Sequence, residues 1–325
     1  MESRNKAYIG LDLGGTFLKF ALADEEGGIL IKSKRPSQGD QKKEAIFSNI
    51  FFAIDEMAQA AQARQLEIAA IGMGSPGAIE FNQCRLLGNT PNLPDWGDAE
   101  IRKEIGKHYP FPVWADNDAN VAALAEVRQG AARGYKYVIA ITLGTGIGGG
   151  VIINDEIFRG SHFSGAELGH MSIDYNGLPC GCGGVGCIEA YASAPAMVRN
   201  YVGKLQKNKM VVPAMVNTEL IFANAQKGEQ AAMQVIDETC EYLGAALASY
   251  TNIFNPEIFV IGGGVADAGD EFMTRIWNAV VKRAMDAPLR NLKLVRAQLG
   301  NDAGVVGAIC LAMDAVRATK KQSHQ

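Results

Sequence analysis

Residues 8–29 read YIGLDLGGTFLKFALADEEGGI, and residues 138–157 read VIAITLGTGIGGGVIINDEI. Both follow one order: an apolar strand, a Gly/Thr turn, a second apolar strand and an acidic turn. Leu13 and Gly14 match Leu143 and Gly144, and Glu26 matches Glu156, at an offset of 130 residues. Identity is low, but a repeated strand–turn–strand unit implies two similar half-domains facing each other, against the alternative of two unrelated hairpins. In the first copy ILIKSKR extends the hairpin into a meander.

Outward from the first copy, Ile46, Ile50, Ile54 and Met57 recur at helical spacing, so residues 43–64 form a long amphipathic helix. IAAIGMGS (68–75) is a short buried strand that runs into the loop SPGAIE. LLGNTPNLPDWG is rich in Pro, Asn and Gly and reads as a loop. FPVWADND is a strand leading to a turn, and Asn117-Asp118-Ala119-Asn120 opens a helix to about Gly130. Beyond the second copy the chain is largely helical. Two helices are expected in 219–253, and a strand in PEIFVIGGGVAD ends in three glycines. The helix EFMTRIWNAVVKRAM, the strand LKLVRAQ and a closing helix AGVVGAICLAMDAV follow. The polar tail TKKQSHQ is expected to be disordered.

The chain has 325 residues, enough for two domains with cores of their own. A net charge of −4 argues against nucleic acid or an anionic membrane as partner. No apolar run approaches the roughly 20 residues of a membrane span. The N-terminus enters a strand pattern at once, which leaves no room for a signal or transit peptide. Free or metal-bound cysteine fits a reducing cytoplasm, and the isolated Cys84, Cys240 and Cys310 read as buried thiols.

Three of the six cysteines fall in HMSIDYNGLPCGCGGVGCIE (170–189). His170, Cys180, Cys182 and Cys187 supply one nitrogen and three sulfurs, a standard set for a closed tetrahedral zinc site. Glycines 181, 183, 184 and 186 let the backbone fold tightly enough for the ligands to converge. A plain cluster of buried thiols would tolerate so many glycines poorly. A redox disulfide would leave the histidine unexplained, and Cys-x-Cys closes a very small ring. Glu167 and Glu189 flank the cluster. With the second ring nitrogen of a metal-bound His170, two carboxylates suit a polyhydroxy ligand such as a sugar.

Three glycine turns follow apolar strands: Gly14-Gly15-Thr16, Gly144-Thr145-Gly146 and Gly262-Gly263-Gly264. Such turns expose backbone N–H groups to a phosphate, and Thr16 and Thr145 add hydroxyls. No P-loop or dinucleotide fingerprint is present. Asp12 ends the first strand and suits a magnesium ion held through water, the alternative being a structural turn carboxylate. Asp118, at a helix N-terminus that favours its charged form, is the candidate base, the alternative being a plain cap.

GAELGH at 165–170, followed by C-x-C-G-x-x-G-C-x-E, resembles the signature of the ROK family (repressors, open reading frames, sugar kinases), and within it the ATP-dependent glucokinases. The resemblance covers nearly the whole chain. It implies an α/β fold of two actin-like ATPase (ribonuclease H-like) domains with a cleft between them and a zinc-binding loop. DLGGT (12–16) looks like the first phosphate motif, LGTGIGGG (143–150) like the second, and IGGGVAD (261–267) like the adenosine-side motif. The implied nucleotide contacts are Asp12, Gly14, Gly15, Thr16, Gly144, Thr145, Gly146, Gly263 and Gly264. NDAN (117–120) places the catalytic aspartate at Asp118. Gly77, Asn92, Asn117, Asp118, Glu167, His170 and Glu189 match sugar contacts, and His170, Cys180, Cys182 and Cys187 match zinc ligands. The implied domains are 1–117, with the helix of about 303–325 returning to it, and 118–302. The implied cofactors are ATP, Mg2+ and structural Zn2+, and the implied assembly is a homodimer. The implied reaction is ATP-dependent phosphorylation of a hexose at its 6-hydroxyl, glucose first, with N-acetylhexosamine, mannose or fructose as alternatives. A non-catalytic sugar sensor is the reading of another class. Phe17 after GGT and Asp95 in PNLPDW depart from the family pattern, and Asp95 bears on substrate preference. Repressors of the family carry an added helix-turn-helix domain, whereas this chain starts at the phosphate strand.

Overall fold

The computed structural model describes residues 5–90 and 93–322. Strands β1 (Lys6–Leu13), β2 (Phe17–Asp24) and β3 (Ile29–Pro36) form the expected antiparallel meander. Helix α1 (Lys43–Ala63) leads to β4 (Glu67–Ser75), which pairs parallel with β1. A small hairpin, β5 (Ala78–Glu80) and β6 (Arg85–Leu87), and helix α2 (Ile101–Gly106) precede β7 (Val113–Asn117) and α3 (Asp118–Gln129). The hairpin falls largely where loops were expected, because three-residue strands are too short to show an alternation, and α2 lies in a stretch for which no element was expected.

The second copy gives β8 (Val138–Leu143), β9 (Ile147–Ile153) and β10 (Glu156–Ile157). Helices α4 (Glu189–Ala192), α5 (Ala194–Lys207), α6 (Thr218–Gln226) and α7 (Gln230–Phe254) follow. Then come β11 (Ile258–Gly262), α8 (Asp270–Val281), α9 (Asp286–Leu289), β12 (Lys293–Arg296) and α10 (Ala303–Gln322). The two five-stranded sheets run β3-β2-β1-β4-β7 and β10-β9-β8-β11-β12, one strand order used twice. The repeat slips at its turn: Leu13 lies opposite Leu18, but Leu143 lies opposite Ile147. The second turn is one residue shorter, so Glu26 corresponds to Asp155 rather than to Glu156.

The chain divides into two compact units. Unit 1 runs to Gly134 and adds Ile157–Ala166 and the chain from Asn301; unit 2 is Tyr135–Glu156 with Glu167–Gly300. Helix α3, which the sequence reading gave to the second domain, therefore lies with the first, where it packs along α10. The excursion of 157–166 into unit 1 was not expected at all. Part of the tail is more ordered than read: α10 continues to Gln322, since Ala, Lys and Gln are good helix formers, and residues 323–325 lie outside the described residues. Among the described residues no helix is long and apolar enough to cross a membrane.

Period-two alternation sets the layers of unit 1. Ile9, Leu11 and Leu13 of β1 pack with Ile46, Ile50, Ile54 and Met57 of α1. Tyr8 points the other way, to Val305, Ile309 and Met313 of α10. On that face α10 approaches the sheet at backbone range. A β-carbon on Gly72 would lie 1.8 Å from the Ala308 carbonyl oxygen, and one on Gly10 2.6 Å from that of Val305. Gly307 meets α3 in the same way, 1.9 Å from Val121 O.

Gly72→Ala must push α10 off the sheet, since the obstacle is backbone and not a flexible side chain. Overpacking of this kind costs about 1–3 kcal/mol. Thermal unfolding should show a lower midpoint for Gly72→Ala, while Gly106→Ala, where nothing lies within 4 Å, stays near the native value.

Candidate active site

In unit 1 the candidate residues gather at the carboxyl ends of β1, β4 and β7. Asp12 lies opposite Gly74, and Gly74 opposite Asp116, in adjacent parallel pairs. Asp118 follows two residues later, its Cα 3.7 Å from the position of a Gly74 β-carbon. Asp12 shares the α10 face of β1 with Tyr8 and Gly10. Its carboxylate meets the first turn of α10 at Gly304, where a β-carbon would lie 2.4 Å from Oδ2. Burial pushes the Asp12 carboxyl above its ordinary range, and Lys19, at 3.5 Å, opposes that shift.

Asn117, not Asp118, caps α3. Its Oδ1 accepts from the N–H groups of Ala119 (2.9 Å) and Asn120 (3.2 Å), and its Nδ2 donates to the Gly77 carbonyl at 3.1 Å. Gly77 has φ +90°, a left-handed conformation that favours glycine. Asn117, Asp118 and Gly77 thus form one group. Asp118 is the first helical residue, half-buried, with Oδ1 accepting from the Ala119 N–H at 2.9 Å. Asn92 lies outside the described residues. Asp95 is turned to α1, where Oδ2 accepts from the Lys43 N–H at 2.8 Å, so it acts as an anion at a helix start.

The first glycine turn is closed by Gly14 N–H donating to Phe17 O (2.9 Å), and the second by Gly144 N–H to Gly146 O (3.0 Å). Gly14 and Gly144 therefore shape their turns, and their own N–H groups are taken up in closing them. Thr16 and Thr145 are both exposed. Ser37, unnoticed in the sequence, holds the first turn from behind through Oγ to Gly15 O (2.7 Å) and N–H to Thr16 O (2.9 Å).

Unit 2 brings the other candidates together. Gly263, at φ +86°, sits on the end of β8, where a β-carbon would lie 2.3 Å from Leu143 O. Glu189 joins the second turn to the thiol cluster: Oε2 accepts from the Ile147 N–H at 2.9 Å, and Oε1 lies 3.9 Å from Cys180 Sγ. Glu167 is exposed and precedes a 3-10 turn, Leu168–His170. That turn rests directly on β9, since a β-carbon on Gly169 would lie 1.9 Å from Ile147 O. Tyr250 OH donates to Leu168 O and fixes it from the other side.

The ligand atoms of His170, Cys180, Cys182 and Cys187 all lie within 4.8 Å of one another. Ligands of a tetrahedral zinc ion lie roughly 3.5–3.8 Å apart. Cys182 Sγ to Cys187 Sγ and Cys180 Sγ to His170 Nδ1 are both 3.7 Å, so the donor set and its spacing fit zinc. Nδ1 faces the sulfurs, so Nε2 is not the nitrogen the cluster uses. Gly183 (φ +89°) and Gly186 (φ +75°) are the glycines the loop requires, the second because a β-carbon would meet Asp174 O at 1.8 Å. Without metal, burial pushes the Cys187 thiol up to about 12, while the Gly184 N–H at 3.4 Å lowers that of Cys182. A zinc ion would hold all three as thiolates. Cys84, Cys240 and Cys310 are buried apart from it, and burial pushes them up to about 11, 12 and 12.

The sheet order, used twice, and a thiol–histidine loop tied to a glycine turn define an actin-like ATPase fold with a zinc-type loop. The ROK family model matches residues 8–315, and the chain belongs to the ROK family. It is similar to the glucokinase of Thermotoga maritima, 35% identical over 315 residues, which are 95% of this chain and 98% of that protein. It is also similar to the xylose repressor of Caldicellulosiruptor bescii, 30% identical over 94% of this chain and 77% of the repressor. Among solved structures it resembles a ROK family glucokinase from Streptomyces griseus in complex with glucose and AMPPNP. That match has a TM-score of 0.78 at 33% identity, over 95% of this chain and 99% of the other.

Purified protein should carry stoichiometric zinc by elemental analysis. Cys187→Ser should lose the metal and unfold at lower temperature. Folded protein that carries no zinc as purified and binds none when it is added would contradict the assignment.

Proposed function

We propose that this ATP-dependent sugar kinase takes glucose as its acceptor and phosphorylates the 6-hydroxyl. Similarity to glucokinases over nearly the whole chain supports the choice of sugar. The observation that carries the reaction is the placement of Asp118 and Asp12 at the carboxyl end of one sheet of unit 1, on either side of β4. A proton acceptor beside a carboxylate suited to a nucleotide's metal is what phosphoryl transfer needs and sugar sensing does not.

Gly77, Asn92, Asn117, Glu167, His170 and Glu189 are the proposed sugar contacts. Their carboxylates and amides orient the hydroxyls, and His170 Nε2–H adds a donor once Nδ1 is bound to zinc. Asp118 accepts the 6-hydroxyl proton as that oxygen attacks the γ-phosphorus of ATP, and ADP leaves. Thr16 and Thr145, with the amides of their turns, hold the phosphates. Magnesium, bound through Asp12, would offset the charge on the β- and γ-phosphates. Zinc would be structural, holding His170 and the loop before Glu189. A homodimer in the cytoplasm is the proposed setting, consistent with unpaired thiols.

A coupled ADP-release assay over glucose, N-acetylglucosamine, N-acetylmannosamine, mannose and fructose tests the acceptor. Glucose should give the highest kcat/KM, and a stronger response to another sugar would reassign it. Asp118→Asn should lower kcat roughly 10²–10⁴-fold, with glucose binding kept by calorimetry. Near-native turnover would remove Asp118 from the role of base.

A further inference from the structure

We infer that Arg159 is a positioning residue for proton transfer, acting through Asp116 on the helix turn that carries Asp118. The inference rests on the reading of Asp118 as base. After Glu156 the chain leaves unit 2, runs through 157–166 in unit 1 and re-enters unit 2 at Glu167. Arg159 holds this excursion in place. Its Nε donates to Asp116 Oδ2 at 2.7 Å, and its guanidinium carbon lies 3.8 Å from the centroid of the Phe81 ring. The Gly165 N–H donates to Arg159 O at 2.9 Å and closes the excursion at its neck. Gly165 tolerates no side chain there, because a β-carbon would come within 2.9 Å of the Arg159 carbonyl carbon.

Asp116 is the reason the contact matters. Its side chain is 2% exposed, and a carboxylate so buried is costly without a partner. Oδ2 takes the guanidinium. Oδ1 accepts from the Asn117 N–H at 2.8 Å and from Asn120 Nδ2 at 3.0 Å. Both donors belong to the cap and first turn of α3, on either side of Asp118. Asn120 Oδ1 is buried with no hydrogen-bond partner. The opposite amide orientation would set that oxygen against the carboxylate, so the turn forgoes one hydrogen bond to keep the link to Asp116. Arg159 thus fixes Asp116, Asp116 fixes the cap and first turn, and these set the direction of Asp118. A lysine could supply the charge but neither the fixed direction of the Nε–H nor the planar stacking on Phe81.

The test compares Arg159→Met, Arg159→Lys and Asp118→Asn in the full chain. It measures kcat and KM for glucose and MgATP, glucose binding by calorimetry, and thermal unfolding. Misplacement of a reacting group by about 1 Å costs about 10²-fold, so Arg159→Met should lower kcat about a hundredfold. Glucose affinity should stay within about threefold, the pattern of an interaction made in the transition state. Arg159→Lys should recover part of the loss. If Arg159→Met does not fold, Arg159→Lys decides, with about a tenfold fall in kcat expected at native glucose affinity. Native kcat in the folded variants, or a loss confined to KM and binding, overturns the inference. Asp118→Asn separates the two readings. If it is inactive while both Arg159 variants turn over normally, only this inference fails; if it turns over normally, the base assignment fails first.

Discussion

The approach of α10 to the sheet of unit 1 at backbone range is the constraint on which the rest depends. Gly10 and Gly72 leave no side chain between helix and strands, and Gly307 leaves none between α10 and α3. Any β-carbon at these positions would meet a carbonyl, and the helix would have to stand off. Because it does not, the start of α10 reaches the end of β1, and Gly304 fits against the Asp12 carboxylate. Alternation along β1 makes this possible, since Tyr8, Gly10 and Asp12 share one face. Packing of the last helix thus decides where the first candidate ligand sits, though the two are at opposite ends of the chain.

Unit 2 solves a related problem with hydrogen bonds. The thiol loop leaves Tyr175, Leu178 and Val185 exposed rather than packed in a core, and it is held by polar contacts at its margins. Tyr191 OH accepts from the Leu178 N–H at 2.7 Å, and Glu189 takes the Ile147 N–H just after the second glycine turn. The loop that bears the metal ligands is therefore tied to the second glycine turn through Glu189. Loss of metal would disturb the turn without the ion touching a phosphate.

Much of this was legible in the sequence wherever a pattern was dense or repeated. The meander, its second copy and the Cys-x-Cys loop each carry several residues whose types and spacing allow few structures. Asp118 was a candidate because a strand ran straight into a capping sequence, and within that sequence Asn117 turned out to be the cap. What was hidden depended on distance along the chain. Nothing near Gly304 signals Asp12, and nothing near Arg159 signals Asp116, 43 residues away. The place of α3 in unit 1 follows from contact with α10, which no local pattern records. The slip of one residue at the second turn was lost because a gapless match cannot register it. Asp95 looked like a change in the sugar loop, but its carboxylate serves the start of α1.

The account claims transfer of the γ-phosphoryl group of ATP to the 6-oxygen of glucose. Nuclear magnetic resonance of uniformly carbon-13-labelled glucose, incubated with the protein and MgATP, tests that claim most directly. The account predicts phosphorus coupling at C6 of the product and the appearance of ADP. Unchanged glucose, or coupling at C1 in place of C6, would contradict it.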